Sequence, residues 1–278
     1  MLLEAILPTE INLMKPIIRV LQNPDQLARF AAENFLRLIS ETLSHQDICT
    51  VVLSGGTTPR KMLGLLAADE QLRGFQDWQD WQDWQDWGRV HFFWGDERHV
   101  PPDHQESNFK MANEALLSQI SLPEANIHRI KSELADADQA ARQYEEEIRD
   151  FFQVPAGEFP AFDLVFLGMG PDGHTASLFP GTKALAEERR VVVANWVGKF
   201  DTNRITMTAP ILNRAAIVIF LVSGDDKAIP LKAVLEGPYE PLQLPAQLIR
   251  PDRGKLIWLV DTTAGRLLQS DKLFDGPL

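Results

Sequence analysis

Residues 48 to 59 read Ile-Cys-Thr-Val-Val-Leu-Ser-Gly-Gly-Thr-Thr-Pro. A short apolar run rich in β-branched residues, broken at Gly55 and Gly56, reads as a buried strand followed by a tight turn. Pro59 then opens a helix, with Thr58 as its expected N-cap. Strand, turn, helix is the unit from which a parallel sheet is wound. Upstream, Asn23, Pro24 and Asp25 form a helix start, and Leu27, Phe30, Ala31, Phe35, Leu38 and Ile39 recur at helical spacing to about His45. Downstream, Val90–Trp94 and Phe162–Leu167 read as buried strands and Ser107–Leu117 and Asp136–Phe152 as helices. Arg204–Thr208, Ala216–Val222 and Leu256–Val260 add further strands. Apolar runs without polar alternation imply strands covered on both faces, so the expected class is α/β, a mostly parallel sheet with helices on both faces. We expect residues 1–16 to be an N-terminal extension and residues 17–278 a single domain.

The 278 residues are 45% hydrophobic and 24% charged, which excludes disordered and collagen-like classes. With 27 Lys and Arg against 39 Asp and Glu, the net charge is -12. That field disfavours nucleic acid as a partner without excluding a local basic pocket. Cys49 stands alone, so no intrachain disulfide is possible, and a reduced, buried thiol in a cytoplasmic protein is the expectation. The first residues lack the basic opening and long apolar run of a secretory signal, and no stretch approaches the ~20 apolar residues of a membrane span. The histidines other than His174, namely His45, His91, His99, His104 and His128, show no metal-ligand spacing, and with a single Cys no metal is expected. Residues 76–87 repeat Gln-Asp-Trp four times and hold four of the seven tryptophans. On a helix, tryptophans three apart rotate by ~60° each, and no single face buries them all. An expanded surface loop is the expected form.

In α/β sheets small molecules bind beyond the carboxyl ends of the strands, and three turns there carry chemistry. The first is Ser54, Gly55, Gly56, Thr57 and Thr58. Its glycines let backbone N–H groups approach an anion at a helix start, although alone it reads equally as a capped turn. The second is Trp94-Gly95-Asp96-Glu97-Arg98, followed by Ser107 and Asn108. It reads equally as a solvated loop with an internal Asp-Arg pair, or as a site in which Arg98 suits an anionic or carbonyl oxygen and Asp96 suits orienting it or a neighbouring base. The third runs from Gly168 to Pro180 as Gly-Met-Gly-Pro-Asp-Gly-His-Thr-Ala-Ser-Leu-Phe-Pro. Its glycines and prolines set an unusual backbone, and His174 beside Asp172 is the candidate general base. Arg204 and Lys227 each read alone as solvated surface charges, but their places at sheet ends also suit phosphate partners.

Jointly these segments, with Arg204–Asn213 and Gly224–Ala228, resemble the 6-phosphogluconolactonase family within the glucosamine/galactosamine-6-phosphate isomerase superfamily. The resemblance runs from about Ile17 to Leu259. It implies a Rossmann-like sheet, no cofactor, and hydrolysis of 6-phospho-D-glucono-1,5-lactone in the oxidative pentose phosphate pathway. It further implies that His174 is the catalytic base, that the Ser54–Thr58 turn and Lys227 hold the substrate's phosphate, and that Arg98 and Arg204 are substrate-site cations. The Gln-Asp-Trp expansion departs from the family pattern.

Two rivals remain at this stage. Amino-sugar-phosphate deaminases share the fold and the Asp-Gly-His core, but follow their histidine with phenylalanine, asparagine and a proton-shuttling glutamate. Here His174 leads into Thr175, Ala176 and Ser177, and Arg98 stands where the deaminases carry tyrosine. A non-catalytic sugar-phosphate sensor is disfavoured by retention of His174, Asp172 and Arg98.

Overall fold

A computed structural model describes residues 15–68, Leu72 and 85–269. Its main sheet holds β1 (Ile17–Leu21), β2 (Cys49–Leu53), β3 (Val90–Trp94), β5 (Ile127–His128), β6 (Leu164–Leu167), β9 (Ile217–Val222) and β10 (Lys255–Asp261). The strand order is β1-β10-β9-β6-β2-β3-β5, and every pairing is parallel. The helices are α1 (Pro24–Leu43), α2 (Thr57–Ala68), α3 (Asn108–Ala115), α4 (Ala137–Phe152) and α5 (Ala228–Glu236), with shorter turns between. The expected α/β architecture is present. All residues of β2 and β6 are buried, as their unbroken apolar runs require of central parallel strands.

From β2 the chain winds outward to β3 and β5; from β6 it winds the other way through β9 and β10 to meet β1. The reversal lies between neighbours β2 and β6, the position at which doubly wound sheets open a crevice at their carboxyl ends. The turns after β2, β3, β6 and β9 all leave from that end.

Several details depart from the sequence reading. The Arg204–Thr208 run does not join the parallel sheet. It lies in β8 (Thr202–Met207), which pairs antiparallel with β4 (Asp96–Arg98) and β7 (Val192–Val197) in a second, three-stranded sheet. Polar and apolar residues alternate from Arg204 to Met207, a period-two pattern proper to an antiparallel strand, although Ile205, Thr206 and Met207 are all fully buried here. Thr58 is not an N-cap: α2 begins at Thr57, after Gly56 with φ 114°, and Arg60 N–H donates to Gly56 O at 3.1 Å. Pro59 fits the first turn because N–H groups there lack helical partners anyway. Phe162 and Asp163 precede β6 rather than belonging to it.

Trp87, the last tryptophan of the repeat, is core rather than loop. It lies in a short 3₁₀ turn, Gln85–Arg89, is 8% exposed, and packs on Phe35 and Phe92 with centroids at 6.5 and 6.1 Å. Residues 76–84, with the other three repeat tryptophans, lie outside the described residues, as do residues 1–14 of the expected extension. Cys49 is free and fully buried, and burial, aided by the charge of Asp163, pushes its thiol pKa up. Among the described residues no helix is long and apolar enough to cross a membrane.

Candidate active site

The crevice at the reversal point is a cleft of about 290 Å³. Ser54 to Thr58, Asp96, Arg98, His174 and Lys227 all line it, so residues up to 173 positions apart share one cleft, Ser54 and Lys227 marking the extremes. Asp172 stands behind His174 rather than in the lining. Arg204 does not line the cleft either; it is the cross-strand partner of Arg98.

His174 Nδ1 is hydrogen-bonded to Asp172 Oδ1, and Lys199 Nζ reaches Asp172 Oδ2 at 3.2 Å. The bond with His174 above all, helped by that from Lys199, holds the Asp172 carboxyl well below the usual carboxylate range. An ionised carboxylate only accepts, so Nδ1 carries the proton and Nε2 keeps the free lone pair. Gly170 is required beside this pair. A Cβ there would lie far inside contact distance of the His174 ring and 2.9 Å from Asp172 Oδ1. The loop is held in place by Gly170 N–H to His174 O at 2.8 Å, Thr175 Oγ1 to Gly168 O at 2.8 Å and Asn195 Nδ2 to Ser177 O at 2.9 Å. Ala176 adopts φ 47°, a conformation alanine tolerates only when its surroundings impose it.

Asp96 and Glu97 turn inward. Asp96 is buried and accepts from Ser177 Oγ at 2.6 Å and Asn108 Nδ2 at 3.3 Å. Glu97, 1% exposed, accepts from the N–H groups of Asn108 and Phe109 and from Ser107 Oγ at 2.7, 2.8 and 3.1 Å, and so ties down the start of α3. Burial raises the Glu97 pKa against the pull of these bonds. Asn108 in turn abuts the anion turn: a Cβ on Gly55 would run into its side-chain amide, so only glycine fits. Asp96, Asn108 and Ser177 thus lock the segments at the carboxyl end of the sheet to one another.

Of the three cations, Arg98 and Lys227 reach the cleft from separate segments of the chain. Arg98 Nη1 donates to Glu106 O at 2.6 Å. Arg204, beside it, has its pKa lowered by burial first and by the Arg98 charge second. Lys227 follows β9 and pairs with Asp226 at 2.7 Å, while Asp261 holds the Ser223–Gly224 turn before it. Ser54 Oγ is buried in the cleft wall without a hydrogen-bond partner among the described residues. A buried hydroxyl of this kind, two cations and a glycine turn at a helix start suit a ligand rich in anionic oxygen. Among the described residues no group of three His, Cys, Asp or Glu could hold a metal ion.

Residues 22–258 match the family described as Glucosamine-6-phosphate isomerases/6-phosphogluconolactonase. The chain belongs to this family. It is 42% identical over 257 residues to the 6-phosphogluconolactonase of Synechocystis sp., covering 92% of this chain and all of that protein. It is 39% identical over 255 residues to that of Nostoc sp., covering 91% of this chain and 98% of that protein. The crystal structure of 6-phosphogluconolactonase from Thermotoga maritima matches with a TM-score of 0.73 at 32% identity, over 89% of this chain and all of that chain.

Within this member of the family, sequence reasoning missed four contributors. Asn108 and Ser177 were motif residues without a stated task, and their shared partner Asp96 supplies it. Phe179 stacks on the His174 ring at 4.1 Å, and Lys199 binds Asp172. Phe179 carried a signal, its place five residues after the histidine. Lys199 carried none, because its contact depends on how the second sheet folds back.

Proposed function

We propose that this chain is a lactone hydrolase that opens 6-phospho-D-glucono-1,5-lactone to 6-phosphogluconate, the lactonase step of the oxidative pentose phosphate pathway, in the cytoplasm. One observation carries the reading: His174, backed by an ionised Asp172, lines the same cleft as the Ser54–Thr58 anion turn, Arg98 and Lys227.

The turn and Lys227 hold the substrate's phosphate, which leaves the sugar ring reaching toward His174. Nε2 takes a proton from water as the water oxygen bonds to C1, and the carbonyl electrons move onto the exocyclic oxygen. Arg98 or the N–H groups of the glycine turn stabilise that oxyanion. When the tetrahedral intermediate collapses, the C1–ring-oxygen bond breaks and the imidazolium returns its proton to the departing oxygen. Asp172 stabilises the imidazolium in between. Asp96 serves this chemistry by position, since its carboxylate is engaged by Ser177 and Asn108.

No carboxylate follows His174 to act as the deaminases' acid: Thr175 Oγ1 is bonded to Gly168 O and Ser177 Oγ to Asp96. The test is a stopped-time assay on freshly generated lactone, corrected for spontaneous hydrolysis, beside an ammonia assay on glucosamine 6-phosphate. Acid formation above background with no ammonia supports the reading; the reverse refutes it.

A further inference from the structure

The His174–Asp172 pair is braced by a segment that lies outside the cleft motifs. The hairpin joining β7 to β8 turns at Gly198–Asp201, closed by Phe200 N–H to Val197 O at 3.0 Å and by Asp201 at φ 51°. Its tip meets the pair twice. Lys199 Nζ binds the Asp172 oxygen that His174 leaves open. Phe200 sets its ring edge-on to Phe179 at 5.7 Å and 75°, and Phe179 stacks on the His174 imidazole at 4.1 Å.

Neither tip side chain is placed as stability alone would place it. Phe200 is 46% exposed, yet its ring carries two cation contacts, the Lys199 ammonium at 5.4 Å and the Arg204 guanidinium at 5.3 Å from its centroid, which help hold it edge-on against Phe179. The Lys199 side chain is 56% exposed, and an ion pair so open to water adds little to folding while costing side-chain entropy. What the two contacts do limit is orientation. A carboxylate held through one oxygen swivels about its terminal torsion; a second anchor fixes its plane. A ring stacked on a braced neighbour cannot tilt freely. Arg204, outside the cleft lining, acquires a task in the same arrangement.

We propose that Lys199 and Phe200 form a positioning element that holds Asp172 and His174 in the productive tautomer and orientation. The proposal rests on His174 being the base, and its test separates the two claims.

Kinetics on the lactone would compare Lys199→Ala, Phe200→Ala, Lys199→Arg, Phe200→Tyr and His174→Ala. Both alanine variants should lower kcat by about tenfold, less than the ~10² that a full 1 Å misplacement costs, with KM within about twofold. Arg and Tyr should restore most of the loss, and in a His174→Ala background the alanine substitutions should cost nothing further. A long-range proton–nitrogen spectrum reads the His174 tautomer independently of activity. The wild type should show a single Nδ1–H form and the alanine variants a mixture. Wild-type kcat in both alanine variants beside an inactive His174→Ala overturns the positioning claim alone. If His174→Ala keeps its kcat, the base assignment falls. The nitrogen spectrum then still decides, and an unchanged single tautomer in both alanine variants overturns the positioning claim.

Discussion

Gly170→Ala tests the site through one methyl group. The Gly170 backbone is outside the left-handed region, so alanine meets no conformational penalty there and the effect is purely steric. Its Cβ would fall far inside the ~3.5 Å contact distance of the His174 Nδ1 and Cε1 atoms, and the ring must retreat by more than ~1 Å. The 2.9 Å approach to Asp172 Oδ1 closes the other direction, so the Nδ1–carboxylate bond is strained or lost in the same movement. A catalytic group displaced by ~1 Å costs on the order of 10² in rate. We therefore expect kcat to fall by about 10², with KM nearly unchanged because the phosphate turn lies on other strands. The His174 side chain is 23% exposed and has room to swing toward the cleft, so stability should drop by only about 1 kcal/mol, the low end for overpacking. Initial rates on freshly generated lactone, corrected for its spontaneous hydrolysis, give kcat and KM; thermal unfolding by circular dichroism gives the stability change. A Gly170→Ala enzyme with wild-type kcat would refute the placement of the His174 ring in the reaction.

Removal of the base and of the phosphate cation should separate kinetically: His174→Ala should lower kcat by on the order of 10² to 10⁴ with a modest KM change, and Lys227→Ala should chiefly raise KM, because the phosphate is bound alike in ground and transition states. Similar kcat losses in both would undo the division of labour. Trp87→Ala should destabilise the fold by about 3 kcal/mol in urea titrations, since it empties a place between Phe35 and Phe92, and a change under about 1 kcal/mol would contradict its core role. Deleting residues 76–84, which stops short of Trp87, tests the expectation of a surface loop: turnover should stay largely intact, because loop length is entropically cheap, and an insoluble or inactive product would count against it. His91 supplies an acid-sensitive contribution. Burial, and then the neighbouring His128, lower its pKa from 6.5 to about 4, so between those values the unfolded chain binds the extra proton. The resulting stability is complete above about pH 6.5 and is lost as pH falls toward 4, by up to about 3 kcal/mol. His91→Phe, which keeps a ring against Phe151, should flatten the change in urea midpoint between pH 7 and 4.5 relative to wild type; an equal slope would exclude His91 as the cause.

Much of the candidate site was legible because its cleft-lining residues sit at strand ends that declare themselves locally. Val51, Val52 and Leu53 break at Gly55, and Val165, Phe166 and Leu167 break at Gly168; each break marks where backbone N–H groups face a crevice. Asp172 and His174 are two residues apart, so their pairing was readable from the chain. Asp96 was less so. Its charge suggested a reactive group, but its partner Ser177 lies 81 residues away, and that bond turns it into a brace. Arg204 looked like a phosphate cation from its position in a strand, while strand β8 belongs to a separate sheet and carries it out of the cleft lining.

The sequence by itself determined the layered α/β class, the strand-end turns that line the cleft, and the His174–Asp172 pair. Each of these is set by periodicity, glycine placement or neighbours a few residues apart, which act before the chain is compact. Tertiary structure alone decided that the β7–β8 hairpin returns to place Lys199 on Asp172 and Phe200 on Phe179, that Trp87 leaves its repeat for the core, and that Asn108 presses on Gly55. Those contacts join segments whose meeting depends on packing of whole layers, and no local pattern of residue types records which surfaces will come together.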